Sequence, residues 1–225
     1  MITKQNKFLA HAVFLRLNAI GIVWIIASMA SGSTASAAAI AVSVTDQSGN
    51  SVPDAVIYAT PRSGNIPKPL RPASIAQIEK QFTPKVTVVQ TGASINFPNR
   101  DSVRHHVYSF SPAKSFEIKL YVGSPPEPVV FDKPGDVVLG CNIHDNMYAF
   151  VYVVNTPFFA KTDASGNAII DGLPAGEFDF AIWHFAQSAP APAKPIRLRS
   201  DERLSTKISI SLKTTGIGID SQGKK

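Results

Sequence analysis

Apolar residues along this chain come in short runs separated by turn-forming residues. "AIAVSV", "AVIYAT", "KVTVVQ", "SINF", "HHVYSF", "FEIKLYV", "PVVF", "DVVLGC", "YAFVYVV", "AIIDGL", "FDFAIWHF" and "KISISLK" are all rich in Val, Ile, Phe or Tyr. Between them sit Gly49-Asn50, Pro134-Gly135, Gly166-Asn167 and Pro174-Ala175-Gly176. Many short strands at regular spacing predict an all-β protein built from sandwiches or barrels. No stretch carries a strong helical period. The nearest is "PASIAQIEKQF" (72–82), which predicts a turn of helix or a loop.

The first residues have a different character. Lys4, Lys7 and Arg16 precede an apolar run from Leu17 to Ala30, and small residues then lead to Ala35-Ser36-Ala37. This order predicts a secretory signal peptide over residues 1–37, cleaved after Ala37 or Ala39, and a periplasmic product. The apolar run contains Asn18 and falls short of the roughly 20 residues a spanning helix requires. Loss of the leader removes three positive charges and lowers the net charge from +6 to +3. No cluster of Lys and Arg interleaved with aromatics is found in the rest, which argues against nucleic-acid binding. The 188 residues left suffice for one sizeable core or two small ones. The last residues, 216–225, read as a disordered tail.

"VTDQSGN" (44–50) and "KTDASGN" (161–167) share T-D-x-S-G-N. Both read as hairpin turns in which Asp bonds the local backbone and Gly supplies a positive φ, since carboxylates are too few for a calcium site. The surrounding segments, "AVSVTDQSGNSVPDAVIYATP" and "FAKTDASGNAIIDGLPAGEFDFAIWHF", resemble the two halves of carboxypeptidase-regulatory-like β-sandwich modules. Such halves are nearly contiguous in that family, whereas some ninety residues separate them here. The resemblance therefore implies an Ig-like sandwich made from 38–69 and 155–215, with 70–154 inserted into it or packed beside it.

The inserted segment holds the chemistry. Cys141 is the chain's one cysteine, and it stands in "GCNIHDNM" with His144 and Met147, while "RDSVRHHVYSF" carries His105 and His106. A lone cysteine makes no internal disulfide. It is a buried hydrophobe, a nucleophile or a metal ligand. Thiolate and thioether favour copper(I), imidazole accepts both copper states, and His₂Cys with a weak axial Met is the blue-copper set. Zinc gains little from a thioether, and a cysteine nucleophile does not call for one. Cys141 ends one apolar run and Tyr148 begins the next, so the intervening loop gathers three donors around one point. In a strand, adjacent side chains face opposite ways, so only one of His105 and His106 points into such a site.

Residues 81–154 resemble the cupredoxins, the family of plastocyanin, pseudoazurin and amicyanin. The resemblance lies in Phe82 and Pro84, in G-x-x-I-x-F-x-N-x-D-x-x-x-H-x-V from Gly92 to Val107, and in C-x-x-H-x-x-M from Cys141 to Met147. It implies a Greek-key sandwich with one type 1 copper held by His105, Cys141, His144 and Met147. His105 is preferred because the family pattern is ligand His, one polar residue, then Val. It also implies a periplasmic one-electron carrier rather than an enzyme, with a c-type cytochrome or periplasmic oxidoreductase as partner. Together with the regulatory-like sandwich, it is similar to proteins of methylamine utilisation. The competing expectation is a copper-binding or structural module of the cell envelope. Two departures stand out: His106 where the family usually carries Asn, and Asp145-Asn146 in the ligand loop. Asn99 and Asn142 are candidates to replace the bond that the Asn would make.

Overall fold

The computed structural model describes residues 37–64, 66, 71–125 and 127–213, which belong to one compact unit, Ala35–Lys225. The expected leader, His11 within it, and the tail lie outside the described residues. Seventeen strands and no helix are found among the described residues. In chain order they begin with β1 (Ala38–Asp46), β2 (Val56–Pro61), β3 (Ala73–Ser74), β4 (Ala76–Ile78), β5 (Gln81–Thr83) and β6 (Val86–Gln90). The middle of the chain forms β7 (Ser94–Asn96), β8 (His105–Ser111), β9 (Lys114–Tyr121), β10 (Val129–Val130), β11 (Gly135–Gly140) and β12 (Tyr148–Val154). It ends with β13 (Phe159–Lys161), β14 (Asn167–Leu173), β15 (Gly176–Trp183), β16 (Lys194–Leu198) and β17 (Arg203–Ile210).

These strands enclose two hydrophobic cores. The first lies between the sheet β14-β1-β17 and the sheet β13-β2-β15-β16, around Ile40, Ile57, Leu173 and Phe178. The second lies between the five-stranded sheet β6-β12-β11-β8-β9 and the sheet β10-β7-β3, around Ile95, Phe97, Phe131 and Leu139. The strands of the second core come from the middle of the chain, and those of the first come from both ends. The period-two pattern assigns the faces. On β11, Val137 and Leu139 are buried while Val138 is half exposed, and on β12 Ala149, Val151 and Val153 point inward.

The outward residues of β12 make the seam between the two cores. Tyr152 stacks on Trp183 at 4.6 Å between ring centroids, and Phe150 stacks on Phe185 at 4.5 Å. The Tyr58 and Tyr152 hydroxyls lie 3.0 Å apart, and Lys161 Nζ donates to the Val86 carbonyl at 3.0 Å. Aromatic pairs of this kind contribute about 0.5–1.5 kcal/mol each beyond their buried area.

Both T-D-x-S-G-N segments are local turns. Asp46 Oδ1 accepts from the Ser48 and Asn50 amides, each at 2.8 Å, and Asp163 Oδ1 accepts from Ser165 and Asn167 at 2.8 and 2.9 Å. Gly166 has φ +76°, and a Cβ there would meet the Val44 carbonyl at 2.5 Å.

The segment 72–82 departs from the expected helical turn or loop. It forms β3, β4 and the start of β5, with β4 and β5 joined as a hairpin through Glu79 and Lys80. Non-local pairing overrides its weak helical propensity. Gln77 N donates to the Pro98 carbonyl and Arg100 N to the Gln77 carbonyl, both at 2.9 Å, and Ile75 and Gln77 are fully buried.

A buried hydroxyl offers a direct test of the first core. Thr162 Oγ1 donates to the Val52 carbonyl and accepts from the Ala55 amide, both at 2.8 Å. Thr162→Val strands both backbone groups, so a loss of about 1–3 kcal/mol is expected in the denaturant-unfolding free energy.

Candidate metal centre

The site stands where β8 begins and where β11 gives way to β12. Cys141 follows directly on β11, and the loop to Met147 is drawn tight by two backbone bonds. Cys141 N donates to the Met147 carbonyl at 3.1 Å, and Met147 N to the His144 carbonyl at 2.9 Å. Cys141 and Met147 are 5% and 1% exposed and belong to the second core, whereas His144 between them is half buried. Asn142, Ile143, Asp145 and Asn146 are exposed, so the loop carries its donors inward and its polar residues outward.

His105 arrives from β8. One ligand atom each from His105, Cys141 and His144 lie within 4.8 Å of one another. The Cys141 Sγ to His144 Nδ1 separation is 3.7 Å, and the two imidazole rings stand 4.9 Å apart at 59°. His105 is wholly buried, its Nε2 lies 2.7 Å from Asp101 Oδ2, and its Nδ1 has no partner. A polar atom left without a partner at such depth is costly.

His106 takes the opposite face of the strand. Its Nε2 pairs with Glu117 Oε1 at 2.9 Å and its ring lies 5.5 Å from Tyr108, so it stays apart from the donor cluster. The alternation expected at 105–106 therefore places the first histidine, and not the second, beside Cys141.

A polar scaffold backs the site. Asn99 Nδ2 donates to the Val103 and Tyr121 carbonyls, both at 2.8 Å, and Asn99 Oδ1 accepts from the Asp101 amide at 2.9 Å. Asn99 thus ties the turn before His105 to β9 and not to the cysteine loop. Tyr121, opposite His105 in the β8–β9 ladder, donates its hydroxyl to the Phe97 carbonyl and accepts from Gln77 Nε2. Burial pushes the Tyr121 phenol up to about 12, with nearby Cys141 adding to the rise against the Gln77 bond. At Asp101, burial works upward, but the Lys80 and Glu79 amides and the His105 ring outweigh it and hold the carboxyl below its usual range.

Gly140 makes room beside the thiol: a Cβ there would lie 2.8 Å from the Tyr108 ring. An open groove lined by Tyr108, Phe110, Val138, Asn142, Asp145 and Tyr148 runs past Cys141 and Met147. Behind Tyr148, Lys85 Nζ donates to its carbonyl at 2.8 Å and lies 3.1 Å from its ring centre, and burial lowers this amine to about 8. His184 has no part in the cluster. It packs on Phe185 at 4.3 Å and accepts from the Ala186 amide, and burial lowers its pKa.

Sequence reasoning missed Asp101 and Glu117 as the partners of the two histidines. Asp101 stands four residues before His105, and that spacing across a tight turn was the available signal.

No protein-family model matches the chain, and no curated protein matches it. Among solved structures it is similar in fold to a purple cupredoxin from Nitrosopumilus maritimus, with 20% identity over 36% of this chain and 99% of that one, at a TM-score of 0.33. It is similar also to a reduced amicyanin variant, with 16% identity over 43% of this chain and 99% of that one, at a TM-score of 0.32. The third is a copper-containing nitrite reductase from Thermus scotoductus, with 23% identity over 42% of this chain, at a TM-score of 0.35; the chain spans 25% of that enzyme. Each likeness covers less than half of this chain.

The burial of Cys141 gives an expectation that needs no metal. A thiol reagent should label the folded protein slowly and the unfolded protein at once with one equivalent, and fast labelling of the folded form would contradict a cysteine that is 5% exposed.

Proposed function

We propose that residues 70–154 form a cupredoxin-type copper unit and that the protein is a periplasmic one-electron carrier. The observation that carries this reading is that ligand atoms of His105, Cys141 and His144 lie within 4.8 Å of one another, beside a buried His105 whose Nδ1 has no partner. These residues fit copper: one thiolate and two imidazoles within reach of one another, and a buried thioether closing the same loop. His105, Cys141 and His144 would be the principal ligands and Met147 the weak one. Copper bound there would supply a reversible Cu(I)/Cu(II) couple.

The chain's own residues do the rest. Leu139, Ala149 and Val151 share one buried cluster with Cys141 and Met147, and strands on either side of the loop limit how far the donors move. A rigid donor set suits electron exchange because little need rearrange between oxidation states. His144 is the donor nearest solvent, so it is the natural point of electron entry and exit. Asp145 beside it favours the more positive copper(II) state and makes the docking face more polar than an apolar rim would be. A c-type cytochrome or a periplasmic oxidoreductase is the proposed partner, and the signal-like leader supports export. Methylamine utilisation remains one candidate setting.

A second reading has support of its own. The sandwich built from both ends of the chain gives no residue to the donor cluster, as a copper-holding or structural module of the envelope would have it.

Copper(II) added to the purified protein should produce an intense visible band from thiolate-to-copper charge transfer. Cys141→Ser and His105→Ala should abolish it, and His106→Ala should leave it in place with at most a shift. A colourless wild-type complex would sink the carrier reading. A blue complex that small redox carriers cannot cycle would favour the structural module.

A further inference from the structure

The carboxylate behind His105 is held more firmly than an ordinary turn aspartate. Asp101 Oδ1 accepts from the Glu79 amide at 2.7 Å, and Oδ2 accepts from the Lys80 amide at 2.9 Å. Oδ2 also meets His105 Nε2 at 2.7 Å, and the Asp101 amide itself is held by Asn99. Glu79 and Lys80 have φ of 52° and 58°, the left-handed region that costs non-glycine residues roughly 1–2 kcal/mol apiece. A turn with two such residues is a type I′ hairpin, usually made by Asn-Gly or Asp-Gly. Here the Asp101 carboxylate accepts both central amides and so stabilises a turn that its own residues disfavour.

The same carboxylate dictates where the proton on His105 sits. An ionised carboxylate only accepts, so the short contact requires Nε2–H to donate. A neutral imidazole with its proton on Nε2 carries its lone pair on Nδ1, which is the atom left without a partner. We propose that Asp101 is a positioning residue for the buried imidazole: it holds His105 as the Nε2–H tautomer, aims Nδ1 at Cys141 and His144, and makes that nitrogen a stronger electron donor to a bound metal.

The neighbouring histidine is the internal control. His106 also pairs its Nε2 with a carboxylate and also leaves a buried Nδ1 without a partner, but the Glu117 side chain is 55% exposed and His106 is outside the donor group. Metal-binding histidines are commonly oriented through their second nitrogen, and loss of such a partner typically costs about 10–100-fold in metal affinity. The metal arm of this inference rests on the copper reading above, while the tautomer arm does not.

The tautomer is readable in the metal-free protein by two-bond proton–nitrogen correlation spectra of the histidines at neutral pH. His105 should show the Nε2–H pattern, and an Nδ1–H pattern in the wild type would overturn the proposal without any mutation. In Asp101→Asn the amide can itself donate to Nε2, so the Nδ1–H form should become populated. That variant should bind copper about 10–100-fold more weakly, with a higher midpoint potential because an anion that favours copper(II) is gone. Glu117→Gln should change neither. Unchanged tautomer, affinity and potential in a folded Asp101→Asn protein would overturn the assignment. If wild-type protein takes up no copper at all, the carrier reading fails, and the metal-free spectra still decide the role of Asp101.

Discussion

The pairing of the first described strand with the last closes the structure. Eight consecutive residues of β1, Ala39 to Asp46, lie parallel to Arg203–Ile210 of β17, while β1 pairs antiparallel with β14 on its other edge. The first core therefore has no complete sheet until the chain has passed through the whole of the second. Contacts this distant in sequence require loop closure before they give any return, which is the signature of slow-forming β topologies. The arrangement also gives the middle segment two anchored ends. Its donor loop joins the ends of two strands, β11 and β12.

At the donor cluster, the candidate ligand residues and those that hold them in place come from different levels of the sequence. Cys141, His144 and Met147 are neighbours on one short loop, and their candidacy as ligands follows from residue type and spacing. His105 comes from a different strand; strand alternation allows only one of His105 and His106 into the cluster, and the preference for the first comes from the cupredoxin resemblance. The supporting groups are farther afield: Asp101 before β8, Gln77 on β4, and Tyr121 at the end of β9. These positions are set by how three elements cross, which no local pattern encodes. The departure at position 106 also takes on a physical meaning. A histidine there finds a carboxylate on β9, and the bracing that spans the turn falls to Asn99.

Much of the fold was legible because period-two patterning and turn residues are strong local signals. The all-β class and the paired Asx-type turns could be read from residue types. The hairpin at 76–83 could not, because Glu79-Lys80 lacks the glycine or asparagine that marks a type I′ turn, and its support comes from a side chain 21 residues away. The parallel β1–β17 ladder was equally hidden, since nothing in either strand names its partner. The aromatic seam was visible only as scattered Tyr, Phe and Trp residues whose pairing depends on two sheets meeting face to face.

That seam has an optical consequence. Of the chain's two tryptophans, Trp24 belongs to the leader-like segment, and Trp183 lies flat against Tyr152 with the Tyr58 hydroxyl beyond it. Export with cleavage after Ala37 would leave a protein whose entire indole emission arises from the junction of its two cores. Tyr152 lies on the strand that begins at Tyr148, immediately after Met147, so the single indole would stack on a residue of the strand that leaves the donor loop and report on both. Nature has in effect placed a fluorescent gauge at the one point where separation of the halves and disturbance of the loop share a strand.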